Sequence, residues 1–221
     1  MDPTELRHAA LRLLCLTDPV QKAAAVRSLD AAALPVDVSV PIAEPPGLPG
    51  RPQRPRLVPP KDVPTRSPFT TEGRCALLHA IAHIEFNAIN LGLDAVWRFA
   101  GMPEAFYRDW WRVASEEALH FTLLREHLVS LGADYGLWTM ARRHARAVEI
   151  LGVILRDEIG HVAIGNRWYR FVCERDGLDP LALYPALVER HGAPRLRPPF
   201  NDAARRAAGF SDSEIAYLTR A

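Results

Sequence analysis

The stretch LRDEIGHVAIG, residues 155–165, sets two acidic residues and a histidine among Leu, Ile, Val and Ala. Side chains three or four positions apart share one face of an α-helix, so Glu158 and His161 project from the same side. That side is otherwise apolar, since its other members are Ile150, Leu151, Ile154, Leu155, Val162 and Gly165. The helical period predicts a long helix with a carboxylate and an imidazole in the middle of its apolar face.

A second stretch, EEALH at residues 116–120, repeats this Glu-x-x-His spacing. Glu117 and His120 fall on a stripe that is completed by Val113, Ala114, Phe121, Leu124 and Leu128. On a further periodic segment, Glu85 lies on a stripe formed by Leu78, Ile81, Ala82, Ala88, Ile89 and Gly92. Three helices are therefore predicted to carry acidic or imidazole groups on their buried faces.

The same periodicity predicts three long helices over 71–100, 103–131 and 137–175, separated by glycine or proline stop signals. Strand-like alternation is nearly absent, so the fold class is predicted to be an all-α helical bundle. Short helices are expected at both ends of the chain, over 3–16, 19–29 and 179–190, after Asn201 and after the capping-box pair Ser211 and Glu214.

A proline-rich segment over 41–68 cannot be helical and is predicted to run extended as a strap. A packed N-terminal arm is the favoured interpretation, with a proline-motif ligand for another protein as the alternative. We therefore divide the chain into N-terminal helices and strap over 1–69, a helical bundle over 70–176 and a C-terminal helical extension over 177–221.

Composition places the chain among cytoplasmic globular proteins. It has 221 residues, 48% of them hydrophobic, and a net charge of +1, so nothing marks it as a binder of nucleic acid or membrane surfaces. Cys15, Cys75 and Cys173 form no CxxC pair and suggest small apolar core residues in a reducing compartment. No signal peptide and no membrane span are predicted.

Acidic groups on buried faces need a partner, because burying an isolated carboxylate costs on the order of several kcal/mol. No Lys or Arg lies on the three stripes to provide a counter-charge. A divalent metal is the simplest partner, and oxygen and imidazole ligands suit iron, manganese or zinc. The alternative is that these are core polar residues paired only with one another. The candidate metal ligands are Glu85, Glu117, His120, Glu158 and His161.

Three other histidines are interpreted differently. His79 and His83 share a helix face with each other and are assigned structural roles, because Glu85 points elsewhere. His127 lies near a helix end and is predicted to be exposed.

The segments over 77–136, 147–180 and 191–211 closely resemble the bacterial ferritin-like family called "domain of unknown function 455". The resemblance covers essentially the whole chain. It implies a ferritin-like up-down bundle in which the five candidate residues hold two iron ions, with manganese as an alternative. Distant relatives of that family include oxygen-dependent hydroxylases, one of them a tRNA-modifying enzyme, and iron-storage proteins. A small molecule or a tRNA is the substrate that the resemblance implies.

One departure from the family concerns the stretch DYGLWTMARRHARAVEIL, residues 134–151, where family members carry several tens of additional residues. That additional segment forms their third bundle helix and supplies its single Glu. A straight helix that returns from Leu137 reaches the level of His120 near Glu149 and places Glu158 ~13 Å beyond it, at ~1.5 Å per residue.

Three resolutions are open. The helix breaks near Gly152, a second subunit completes the site in a helix-swapped homodimer, or the chain is a shortened form with an impaired site. Glu149 could replace the absent ligand only if the chain bends.

The sequence leaves three functions open. The chain is an O2-dependent oxidoreductase or hydroxylase acting on an organic substrate, an iron-handling protein without such a substrate, or a helical scaffold that has lost its metal. The sequence favours the first.

Overall fold

A computed structural model describes residues 5–58, 62, 66–67, 69–136, 145–192 and 200–220, and the side chains of all of these except 145–149, 219 and 220. The regular elements of this described part are helical, which confirms the all-α prediction. A short 3-10 helix, Ala31–Ala33, follows the second helix. The α-helices are α1 (Leu6–Cys15), α2 (Pro19–Ser28), α3 (Thr71–Arg98), α4 (Glu104–Ser130), α5 (Ala145–Arg175), α6 (Pro180–Arg190), α7 (Asp202–Ala207) and α8 (Asp212–Arg220).

The helix ends follow the local signals that the sequence predicted. The Asn201 side chain accepts a hydrogen bond from the Ala204 N–H and begins α7. Ser211 and Glu214 form the capping box of α8, because each backbone N–H donates to the side chain of the other residue, at 2.6 and 3.2 Å. Gly101, just beyond α3, has a φ of +75°, a conformation that residues with a Cβ rarely adopt.

The chain divides into two compact units, Met1–Ile154 and Leu155–Ala221. In the first unit, α3 and α4 pack along each other, and the short connection over 99–103 makes them an antiparallel pair. Helix α1 packs against α3, and α2 packs against α4. Within the described part of the chain, no helix combines the length and the apolar character needed to cross a membrane.

The α3–α4 pair is closely spaced at Gly92. A Cβ built on Gly92 would lie 2.9 Å from the Cβ of Ala114 and 3.1 Å from its backbone. Carbon atoms pack at about 3.5–4.0 Å, so even a methyl group at position 92 requires the helices to separate. This contact fixes the spacing of the two helices near Glu85 and Glu117.

We expect Gly92→Ala to lower the free energy of unfolding by about 1–3 kcal/mol, because it overpacks the helix contact. Gly152→Ala on α5 is the matched control, since a Cβ there meets no atom within 4 Å. That control should stabilise the protein by about 0.5–1 kcal/mol, because alanine favours helix over glycine. Denaturant unfolding measures both. A stabilised Gly92→Ala protein would contradict the close approach.

The strap packs onto the first unit around a buried lysine. The Lys22 ammonium donates hydrogen bonds to the Leu14 carbonyl at 3.0 Å, the Gly50 carbonyl at 3.0 Å and Asn90 Oδ1 at 2.6 Å. Burial, with the nearby Arg51, lowers the pKa of Lys22 to about 8. A Cβ on Gly50 would lie 2.2 Å from the Cys15 carbonyl oxygen, so only glycine allows this approach. One ammonium group therefore joins α1, α3 and the strap.

Helix α5 runs without interruption from Ala145 to Arg175, which excludes a break near Gly152, one of the three alternatives that the sequence left open. An α-helix tolerates an isolated glycine at a cost of about 1 kcal/mol, which neighbouring helical residues offset here. The first part of the predicted helix, over 137–144, lies outside the described residues. In the second unit, Arg170 of α5 contacts Glu214 of α8 at 2.8 Å.

Candidate metal centre

Glu85, Glu117 and His120 come together inside the first unit. Nδ1 of His120 lies 3.2 Å from Oε2 of Glu117 and 3.3 Å from Oε2 of Glu85. The His120 side chain is fully buried, and each glutamate side chain is only 4% exposed. One potential ligand atom from each of the three residues lies within 4.8 Å of the other two, so a single ion could contact all three.

The α3–α4 pair positions this cluster. Glu85 projects from the middle of α3, while Glu117 and His120 project from one face of α4, three residues apart. The rings of Phe86 and Phe121, the residues that follow Glu85 and His120, pack against each other with centroids 5.8 Å apart. The cluster therefore lies on the buried face of both helices, as the stripes predicted.

Burial raises the pKa of Glu85 from 4.5 to about 7, opposed by the contact with His120 and reinforced by the Glu117 carboxylate. Two carboxylates this close cannot both be ionised at low cost without a cation. A shared proton or a divalent cation can each lower that cost.

We expect the metal-free protein to lose stability as the pH rises from 4.5 through 7. The folded-state pKa of Glu85 is raised, so its stabilising contribution is complete below the ordinary pKa and is lost as folded Glu85 ionises. Between roughly pH 5 and pH 8, the free energy of unfolding should fall by about 1–3 kcal/mol more in wild type than in Glu85→Gln, with a chelator present in both cases. Denaturant midpoints measure this difference. Parallel pH profiles for the two proteins would contradict the raised pKa.

The other predicted pair lies in the second unit. Nδ1 of His161 is 4.0 Å from Oε2 of Glu158 on α5. The His161 side chain is 7% exposed, whereas that of Glu158 is 43% exposed. Glu158 is therefore only partly buried, although the sequence placed it on a core-facing stripe, and its neighbours Leu155 and Val162 on that stripe are themselves 63% and 42% exposed. That Glu158 and His161 share a site with Glu85, Glu117 and His120 stays a prediction. The side chain of Glu149 is not among the described side chains.

His79 and His83 have the structural contacts that the sequence predicted. The Gly136 N–H donates to Nε2 of His79 at 3.0 Å, and Nδ1 of His83 lies 2.7 Å from the Tyr135 hydroxyl. Burial lowers the pKa of both imidazoles, so they are neutral at physiological pH. The ring of Tyr135 stacks on that of His79 with centroids 5.1 Å apart. The sequence gave no signal of this contact, because Tyr135 lies in a turn that is distant from His79 along the chain.

The prediction that His127 is exposed is wrong. His127 is 3% exposed, although it lies in the last turn of α4. The chain after α4 turns back at Gly132 and places the buried residues Leu131 and Ala133 beside the helix end.

The first cluster fits a metal ion by its donor set and by its burial. Oε2 of Glu85 is buried and makes no hydrogen bond, although it lies 3.3 Å from Nδ1 of His120. A buried carboxylate oxygen without a hydrogen bond is costly, and metal coordination removes that cost. Two carboxylates and one imidazole suit iron, manganese or zinc.

Comparisons with known proteins place the chain among proteins of unknown function. Residues 15–144 and 139–216 match the family described as "Protein of unknown function (DUF455)". A protein of Haemophilus influenzae, named "Uncharacterized protein", is 42% identical over 216 aligned residues, covering 76% of this chain and 75% of the relative. No solved structure matches the chain at a significant level.

Both matches bear on the shortened connection. The two family segments overlap at 139–144, the part of the chain where the sequence predicted a missing segment. The alignment has 216 positions but includes only 76% of the 221 residues of this chain. Part of the relative therefore lies opposite gaps in this chain. Both observations agree with a shortened chain.

Proposed function

The chain belongs to the DUF455 family of proteins of unknown function, and we propose that it is a metal-binding protein of ferritin-like type. The observation that carries this proposal is the buried cluster of Glu85, Glu117 and His120. Three ionisable groups with almost no solvent contact are costly to maintain without a cation. A bound metal ion would balance the charge of the two carboxylates and so offset this cost.

Iron is the metal that we propose, with manganese as the alternative. Glu85 and Glu117 would supply oxygen ligands and His120 a nitrogen ligand. Glu158 and His161 are the further ligands that the repeated Glu-x-x-His spacing suggests, and the number of ions we propose is two. Iron bound by such ligands supplies O2-dependent oxidation of an organic substrate, with electrons from an external donor.

The protein groups have distinct roles in this proposal. The carboxylates of Glu85 and Glu117 balance the positive charge of the ion, which a buried site requires. Nδ1 of His120 lies 3.2 Å from Oε2 of Glu117 and 3.3 Å from Oε2 of Glu85, so the three ligand groups are already close together before an ion binds.

Metal analysis of protein purified from iron-replete cells tests the proposal. We expect about two equivalents of iron per chain by mass spectrometry of the metals, and O2 consumption when Fe(II) is added to the metal-free protein. Iron without O2 consumption would favour an iron-handling protein. Protein that neither contains nor takes up iron or manganese would overturn the proposal and leave the metal-free scaffold.

A helix-swapped homodimer remains a proposal for how the shortened chain completes its site. The continuous α5 removes the broken-helix alternative. Analytical ultracentrifugation tests it: a dimer is expected, and a strict monomer that binds two metal ions per chain would exclude the swapped dimer.

A further inference from the structure

The second unit contains a cavity of about 360 Å³ that the metal centre does not use. It lies among α5, α6 and α8, and its volume is at the low end of the range of about 300–1,000 Å³ for small-molecule pockets. Tyr184 of α6 and Tyr217 of α8 face each other there, with ring centroids 6.1 Å apart. The apolar side chains of the wall are Leu181, Tyr184, Leu187, Phe210, Tyr217 and Leu218.

Glu214 carries the one carboxylate on the described wall of this cavity, and Arg170 balances its negative charge. Both oxygens of Glu214 accept hydrogen bonds from Nη2 of Arg170, at 3.0 and 2.8 Å. Oε2 also accepts from the backbone N–H and the hydroxyl of Ser211. Glu214 therefore repels a second anion only weakly.

Arg205 of α7 lines the same cavity and has a different environment. Its Nη1 is buried and makes no hydrogen bond, and no described acidic residue pairs with it. The guanidinium carbon lies 4.1 Å from the centroid of the Phe200 ring. The next residue, Arg206, donates instead to Asp212 at 3.1 and 3.2 Å. The cavity thus combines an apolar wall with a cation that lacks an anionic partner within the described residues.

We propose that this cavity binds a small organic carboxylate, with its carboxylate on the Arg205 guanidinium and its apolar body against Tyr184, Tyr217 and Leu218. Arginine presents paired N–H donors that match the two oxygens of a carboxylate. The aromatic and aliphatic wall favours an alkyl or aryl body over a sugar or a phosphate ester. Binding requires no metal and is independent of the proposed function.

Isothermal titration of the full-length protein in a chelator, with octanoate as the probe, tests this site. Octanoate should bind at least about tenfold more tightly than octanamide, which has the same chain without the charge. Affinity should rise about fourfold for each methylene added from hexanoate to octanoate, because each buries further apolar surface.

Two neighbouring arginines provide the matched variants. Arg205→Gln should weaken octanoate binding about ten- to a hundredfold and leave octanamide unaffected, whereas Arg206→Gln should bind as wild type does. Tyr184→Ala, at a partly exposed position, should weaken both ligands equally. Equal octanoate affinity in wild type and Arg205→Gln, or no binding by wild type at millimolar octanoate, would overturn the proposal. Thermal unfolding confirms that each variant is folded.

Discussion

Replacement of His120 by alanine is expected to reduce metal affinity by at least about 100-fold, because the change removes the imidazole that lies between both carboxylates. Glu117→Gln should have a similar effect, since it keeps the size of the side chain but removes its charge and one ligand oxygen. Metal titration of the chelator-treated protein, with bound metal measured after gel filtration, gives the affinities.

Two exposed residues serve as controls. Glu126→Gln changes the same residue type on the same helix, α4, and His191→Ala removes an exposed imidazole. Both should bind metal as wild type does. Unchanged metal content in both His120→Ala and Glu117→Gln would refute the ligand assignment. A variant that has unfolded would be recognised by its circular dichroism spectrum.

Much of the helical framework was predictable because it depends on local chemistry. Asn201 and the Ser211–Glu214 pair satisfy backbone groups within three residues of themselves, so the sequence alone shows where α7 and α8 begin. The stripes were equally informative for Glu85 and Glu117, because the apolar faces that carry these two residues are buried in the structure.

The limits of prediction also have physical causes. A stripe shows which face of a helix is apolar but not what covers it, so the sequence did not reveal that Glu158 is 43% exposed. His127 was predicted to be exposed from its place near a helix end, yet its side chain is 3% exposed. Exposure depends on chain segments that are distant in sequence, and no local spacing reports them.

Buried basic residues of the N-terminal helices illustrate the same limit. Lys22 and Arg7 are both fully buried, although cationic side chains on short helices are usually exposed. Their partners are mainly backbone carbonyls of irregular segments and helix ends. Backbone acceptors are present at every residue, so they give no sequence signal.

Arg7 is the position where we expect the largest loss of stability. Nη1 donates hydrogen bonds to the carbonyls of Asp37 at 2.7 Å and Val40 at 2.8 Å, and Nη2 donates to the carbonyl of Trp97 at 3.0 Å. The guanidinium also lies 5.4 Å from the centroid of the Tyr107 ring. One side chain therefore ties α1 to the segment before the strap and to the last turn of α3.

Arg7→Met should lower the free energy of unfolding by about 3–5 kcal/mol, because it leaves three carbonyl groups without their donor while keeping most of the apolar volume. Arg27→Met, at an exposed position of α2, should stay within about 0.5 kcal/mol of wild type. Urea unfolding of the two variants and wild type measures the difference. If Arg7→Met lost no more stability than Arg27→Met, water would have to replace the guanidinium at all three carbonyls, and α1 would be joined to α3 mainly through its buried leucines, Leu6, Leu11 and Leu14.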